Sequence, residues 1–154
     1  MNTPRLSPDH WLTAGFDALQ RLGPHALAAE PLARHLGTTK GSFYWHFKDV
    51  PAFHTALITS WRDTAIAQMV TQLEQNDSAD QRLRSFGAQF LDDPIEPSIR
   101  TWAQTNHNVA QALRDVDAQR LTYLATLLRQ LRSPKNEIIQ AVLATLVGSP
   151  QISP

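Results

Sequence analysis

A chain of 154 residues can bury a real core, either as one domain or as a small domain joined to a helical partner. Its 42% hydrophobic and 18% charged residues give a globular composition. With no cysteine, disulfides, thiolate catalysis and cysteine-bound zinc are excluded. The formal net charge of zero hides a modest asymmetry, consistent with contact to a polyanion but far weaker than a basic arm. Residues 1–62 carry Arg5, Arg21, Arg34, Lys40, Lys48 and Arg62 against Asp9, Asp17, Glu30 and Asp49, with five of the six histidines. The opening MNTPRLSPDH lacks the apolar run of a signal peptide. No segment reaches the roughly 18 apolar residues of a membrane span, so a cytoplasmic protein with no membrane partner is expected.

Taken in chain order, nearly every segment reads as helix. Ser7-Pro8-Asp9 supplies an N-cap, a proline for the first turn and an acid beside the positive helix end. Leu12, Phe16, Leu19 and Leu22 follow at helical spacing until Gly23-Pro24. A short second helix is expected from Ala29 to Leu36, with Pro31 in its first turn, Leu32 and Leu36 facing the core, and Gly37 as its stop. Thr38 or Thr39 caps a third helix. Asp49 caps a fourth, long one of about six turns, with Phe53, Leu57, Trp61, Ala65, Met69 and Leu73 along one side. Ser78 and Gln81 form a capping box for a helix through Phe90, and DDPIEP interrupts it. A helix bearing Trp102 comes next, then a longer one holding Leu113, Val116, Leu124, Leu127 and Leu131. The last begins at Ser133-Pro134, carries Ile138, Ile139, Val142, Leu143 and Leu146, and stops at Gly148-Ser149-Pro150. No alternating strand pattern or repeat is present, so the fold class is all-α.

The stretch TTKGSFYWHF, residues 38–47, mixes a lysine and a glycine with four aromatic rings and a histidine. On a helix, Phe43 and Phe47 share one face and must pack inward, while Gly41 and Trp45 fall on the opposite one. A tryptophan turned away from the core needs a reason. Three short helices with a glycine turn before the third make the helix-turn-helix plan, whose last helix enters the major groove. Gly41 lets backbone approach DNA, and Lys40 reaches a phosphate or a guanine. Thr39 and Ser42 hydrogen-bond bases or phosphates. Tyr44, Trp45 and His46 offer donors and apolar surface to sugars and thymine methyls. The start of the fourth helix near Lys48 and Asp49 offers free N–H groups to another phosphate.

The run LARHLGTTKGSFYWHFK, Leu32 to Lys48, closely resembles the helix-turn-helix of TetR-type transcriptional regulators. The likeness extends through LTAGFDALQRLG upstream and into the long helix downstream, covering about residues 8–75. The segment IRTWAQTNHNVAQALRDVDAQRLTYLATLLRQL is similar to a common C-terminal segment of that family. The resemblance implies that Thr39, Lys40, Gly41, Ser42, Tyr44, Trp45 and His46 contact DNA and that Phe43 and Phe47 are core. Two departures stand out: Val50 where a phosphate-contacting lysine is common, and only Arg5 before Arg21. Both predict a shallow salt dependence.

The resemblance further implies a homodimer reading a two-fold, double-stranded operator with recognition helices roughly 34–36 Å apart. It also implies a small-molecule effector, no cofactor and no catalysis. The domains expected are 1–48 for the helix-turn-helix, 49–75 for the connecting helix and 76–154 for a short helical ligand and dimerisation domain. Asp117–Leu131 and Pro134–Val147 are the interface candidates, and Phe86, Phe90, Trp102 and Tyr123 the candidate pocket residues. The other class of function weighed is a helical protein-interaction module that keeps the helix-turn-helix shape, since the C-terminal half is short and basicity is weak. Arg34 and His35 are expected as surface groups. Asp92-Asp93 and Asp115/Asp117 are expected as solvated carboxylates, and the histidines lack the spacing of a metal site.

Overall fold

A computed structural model describes residues 5–75, 77–131 and 136–148, with 136–140 by backbone alone. Its elements are α1 (Pro8–Leu22), a 3₁₀ turn (Pro24–Ala26), α2 (Ala29–His35), α3 (Lys40–His46), α4 (Val50–Glu74), α5 (Ala79–Asp92), α6 (Glu96–Ala103), α7 (His107–Gln130) and α8 (Asn136–Val147). The described residues are all helix, turn or coil, as the pattern predicts. None of these helices is long and apolar enough to cross a membrane. Ser133-Pro134, Ser149-Pro150 and the side chains of Ile138 and Ile139 lie outside what is described.

The helix ends form where the sequence supplies partners for orphan backbone groups. The Ser7 N–H donates to Nδ1 of His10 at 2.9 Å, closing a capping box with a histidine in the place of the usual Glu or Gln. The Ser78 N–H donates to Oε1 of Gln81 at 3.0 Å, and the Gln81 N–H returns to the Ser78 hydroxyl at 3.2 Å. Asp49 Oδ1 accepts from the Ala52 N–H at 2.7 Å and opens α4. Gly37 ends α2 at φ +66°, a left-handed conformation that glycine adopts without penalty. α4 has 25 residues, about seven turns, one more than expected. DDPIEP is a shorter break than it reads, because Asp92 ends α5 and Glu96 and Pro97 already belong to α6.

The chain forms two compact units. The first holds the described residues up to Asp63 together with Pro94–Leu113. Its centre is aromatic: Phe43 lies 5.4 Å from Trp11, 5.3 Å from Phe47 and 5.4 Å from Phe53, ring centre to ring centre. The face α1 buries is Trp11, Ala14, Gly15, Ala18 and Leu19, a stripe at 3.6-residue period. The predicted stripe needs correction here, since Leu12 and Phe16 are half-buried and Leu22 is exposed. Its physical reason is Gly15: a Cβ there would stand 2.7 Å from the Phe53 ring, so α1 and α4 approach across a missing side chain. In the same unit His54 donates from Nε2 to the Leu27 carbonyl at 2.8 Å and meets Trp102 edge-on at 5.2 Å.

The second unit comprises Thr64–Asp93 and the described residues from Arg114 onward. Met69, Phe86, Tyr123, Leu124 and Leu127 make its core, with Leu83, Leu143 and Leu146 packed against them. Leu73, expected on the inner side of α4, is exposed, and its neighbour Gln72 is buried instead. Gln72 donates from its amide to Oε1 of Gln89 at 2.7 Å and accepts from the Tyr123 hydroxyl at 3.1 Å. Burial pushes the Tyr123 phenol above its usual range, against the opposing pull of Arg82. Leu124 and Leu127, read as interface candidates, are consumed by this unit's own core.

Candidate nucleic-acid interface

α3 is a seven-residue helix held from both sides of its sequence. Thr39 is its N-cap, and its Oγ1 accepts from the Ser42 N–H at 3.3 Å. Phe43 and Phe47 point into the aromatic centre and are buried, as predicted. What remains faces out: Trp45 is 73% exposed and Tyr44 50% exposed. Lys40, Gly41 and Lys48 are exposed beside them, and Ser42 and His46 are half-buried. Of the eight residues predicted for DNA contact, Thr39, Lys40, Gly41, Ser42, Tyr44, Trp45, His46 and Lys48, all lie on or next to this one short helix.

Gly41 is informative because the fold does not require it. A Cβ at this position would meet only Thr39 Oγ1, at 3.6 Å, an ordinary contact, and its backbone is helical. A glycine inside a helix costs about 0.5–1 kcal/mol relative to alanine. Nothing inside the unit offsets that cost.

Among the described residues of this unit, electrostatics single out two cations. Arg21 pairs with Asp17 at 3.0 Å, Arg34 with Glu30 at 3.5 Å, and Arg62 with Asp63 at 3.5 Å. Lys40 stands 4.0 Å from Glu30, an exposed contact worth little, from which its ammonium can swing away. His35 approaches Asp17 at 3.7 Å, so Arg34 and His35 are surface groups as expected. Arg5 and Lys48 make no ion pair among the described residues. Arg5 instead lies over the Trp45 ring, its guanidinium carbon 5.6 Å from the ring centre. At the start of α4 the Ala52 N–H is already given to the Asp49 carboxylate, and Pro51 has no N–H to offer.

The pocket candidates separate. Phe86 and Phe90 stack at 6.4 Å, and Phe86 meets Tyr123 at 5.4 Å, all in the second unit. Trp102 belongs to the first unit, where it packs on His54. A cavity lined by Met69, Phe86, Phe90, Gln68, Gln89 and Arg120 has a volume of about 20 Å³, room for one water. Arg120 is buried, with its guanidinium 4.6 Å above the Phe90 ring and 3.2 Å from Asp117. Asp117, expected in solvent, is therefore half of a partly buried ion pair. Sequence reading also missed Arg5, His54 and Gln72. Each is defined by a partner far along the chain, and no local spacing signals such pairs.

An all-α chain whose third helix packs two phenylalanines inward and turns Tyr44 and Trp45 outward is a helix-turn-helix protein. Residues 12–49 match the family model for bacterial regulatory proteins, tetR family. The described fold is shared with a transcriptional regulator from Saccharomonospora viridis in complex with choline, at 16% identity and a TM-score of 0.78, covering 92% of this chain and 81% of that one. A TetR-family regulator from Rhodococcus sp. is 23% identical with a TM-score of 0.69, covering 92% and 84%. A TetR regulator from Haloarcula marismortui is 13% identical with a TM-score of 0.73, covering 92% and 82%. No curated protein matches the sequence. Residues 12–49 thus match the tetR-family model, and the described fold is the one these solved regulators share.

Proposed function

We propose that this protein is a ligand-responsive repressor that reads a two-fold operator as a homodimer, with α3 of each protomer in the major groove. The outward face of α3 carries the reading. Trp45 and Tyr44 are exposed at a helix whose other face is a closed aromatic core, and Gly41 answers to no neighbour inside the fold. Lys40 and Lys48 supply phosphate contacts. Thr39, Ser42, Tyr44 and His46 supply hydrogen bonds to phosphates or base edges. Reading two half-sites as a two-fold dimer would require the two helices about one DNA turn apart, roughly 34–36 Å.

The effector site is assigned to the second unit, around Phe86, Phe90 and Tyr123. The Saccharomonospora viridis regulator is solved with choline, which supports a small-molecule ligand for this fold. Here the Phe90 face that a quaternary ammonium would use is taken by the Arg120 guanidinium. A ligand must therefore displace Arg120 or open the cavity beside it. The test is a binding titration of the full chain against duplexes it enriches from a random-sequence library, at two salt concentrations. The wild type saturates, and Tyr44→Ala and Lys40→Ala lose affinity by tenfold or more, about 1.4 kcal/mol each. Failure of the folded dimer to retain any duplex at low salt rejects the proposal.

A further inference from the structure

Trp45 is the most exposed large hydrophobic residue described, and its ring is not bare. The guanidinium of Arg5, from the segment before α1, lies over it at 5.6 Å. A cation–π contact engages the guanidinium through its face and leaves the in-plane N–H donors free. No carboxylate among the described residues takes them. The contact is too exposed to help hold the fold, and neither side chain reaches the core. It does fix where the arginine head stands: beside the outward face of α3.

We propose that Trp45 is a platform that positions Arg5 to donate to a phosphate oxygen of the duplex that α3 enters. The proposal rests on α3 meeting DNA and changes the role of Trp45. Its ring serves less to read a base than to aim a cation contributed by a different segment. The charge balance gives the arrangement weight. Arg21, Arg34 and Arg62 are tied to acids, so Arg5 and Lys48 are the cations of this unit that meet a polyanion without first giving up a carboxylate. In a chain of zero net charge, loss of one of them removes a large share of the attraction.

A double-mutant cycle in the full chain tests this, using a duplex that the chain itself enriches from a random-sequence library. Arg5→Ala is expected to weaken binding about tenfold at low salt. It should also reduce the slope of log affinity against log salt by about 0.9, the signature of one lost phosphate contact. Trp45→Leu should do nearly the same, and the double variant should be no weaker than either single one. Arg5→Lys should keep the slope while losing part of the affinity, because charge survives but stacking and the planar fork do not. Arg84→Ala, in the second unit and paired with Asp80 at 3.0 Å, is the control and should leave the slope unchanged. Unchanged melting temperatures would show that all variants fold.

An unchanged slope in Arg5→Ala, with Lys40→Ala still weakening binding, overturns the proposal and leaves the DNA reading standing. Multiplying effects of Arg5→Ala and Trp45→Leu overturn the positioning role. A wild-type chain that retains no duplex removes both readings together.

Discussion

The centres of the two units differ in what holds them. Around Phe43 the first packs rings, with Trp11, Phe43, Phe47 and Phe53 meeting at 4.9–5.4 Å beside buried leucines such as Leu19, Leu32 and Leu57, while its buried charge is the Glu96–Arg100 pair of α6 at 2.9 Å. The second carries polar groups into its core: Gln72 bridges Gln89 and Tyr123, and Arg120 lies on Phe90. Close-packed rings leave few alternative arrangements, which would suit the proposed presentation of α3 in a fixed attitude. A polar network is held by a few directional bonds and has alternatives when a new partner arrives, which would suit the ligand response proposed for this unit.

Breaking each interior should expose that difference. The largest effect is expected for Phe43→Ala, which removes the ring at the centre of the first unit. The cost is about 3–5 kcal/mol, measured by denaturant unfolding, with DNA binding lost along with the fold. Tyr123→Phe is milder. It keeps the ring but strands Gln72 Oε1 in the core, costing about 1–3 kcal/mol. It also changes the pH profile. The folded-state pKa of Tyr123 is raised above its usual 10.0, so its contribution is present below that pH and fades as pH climbs through the folded value. Unfolding followed above pH 10 should lose stability in the wild type and less steeply in Tyr123→Phe.

Gly41→Ala should have the smallest effect on stability and the opposite sign. Melting temperature should hold or rise by the equivalent of about 0.5–1 kcal/mol, because alanine favours the helix and meets only Thr39. DNA affinity should nonetheless fall. A variant more stable yet unable to bind separates what the fold needs from what an outside surface needs.

Much of the helical plan is legible in the chain because helix ends carry their own chemistry. Ser78 with Gln81, Asp49 and Gly37 each stop or start a helix through a bond or a backbone angle that the residue type implies. The two populations of α3 are legible for the same reason, since Phe43 and Phe47 are four apart and Tyr44 and Trp45 fall outside their stripe. The inner face of α1 was not. Leu12, Phe16 and Leu22 are as apolar as any core residue, and only the absent side chain of Gly15, facing Phe53 far along the chain, decides the rotation. Leu73 and Gln72 exchange places because the hydrogen bonds to Gln89 and from Tyr123 outweigh the preference for burying leucine. Linear boundaries at 48 and 75 describe stretches of chain. Compactness instead groups residues through partners that sequence spacing does not reveal, and α4 and α7 contribute to both units.

The chain contains four tryptophans, and three of them, Trp11, Trp61 and Trp102, are buried. Trp45 is therefore the one that a neutral collisional quencher such as acrylamide reaches readily, and its fluorescence reports the outward face of α3 directly. Titrated with a duplex the chain has enriched, the protein should lose its acrylamide-accessible emission as Trp45 is covered, in proportion to the DNA bound. Bound duplex with Trp45 still as quenchable as in the free chain would contradict the account, because DNA would then be held by some other surface.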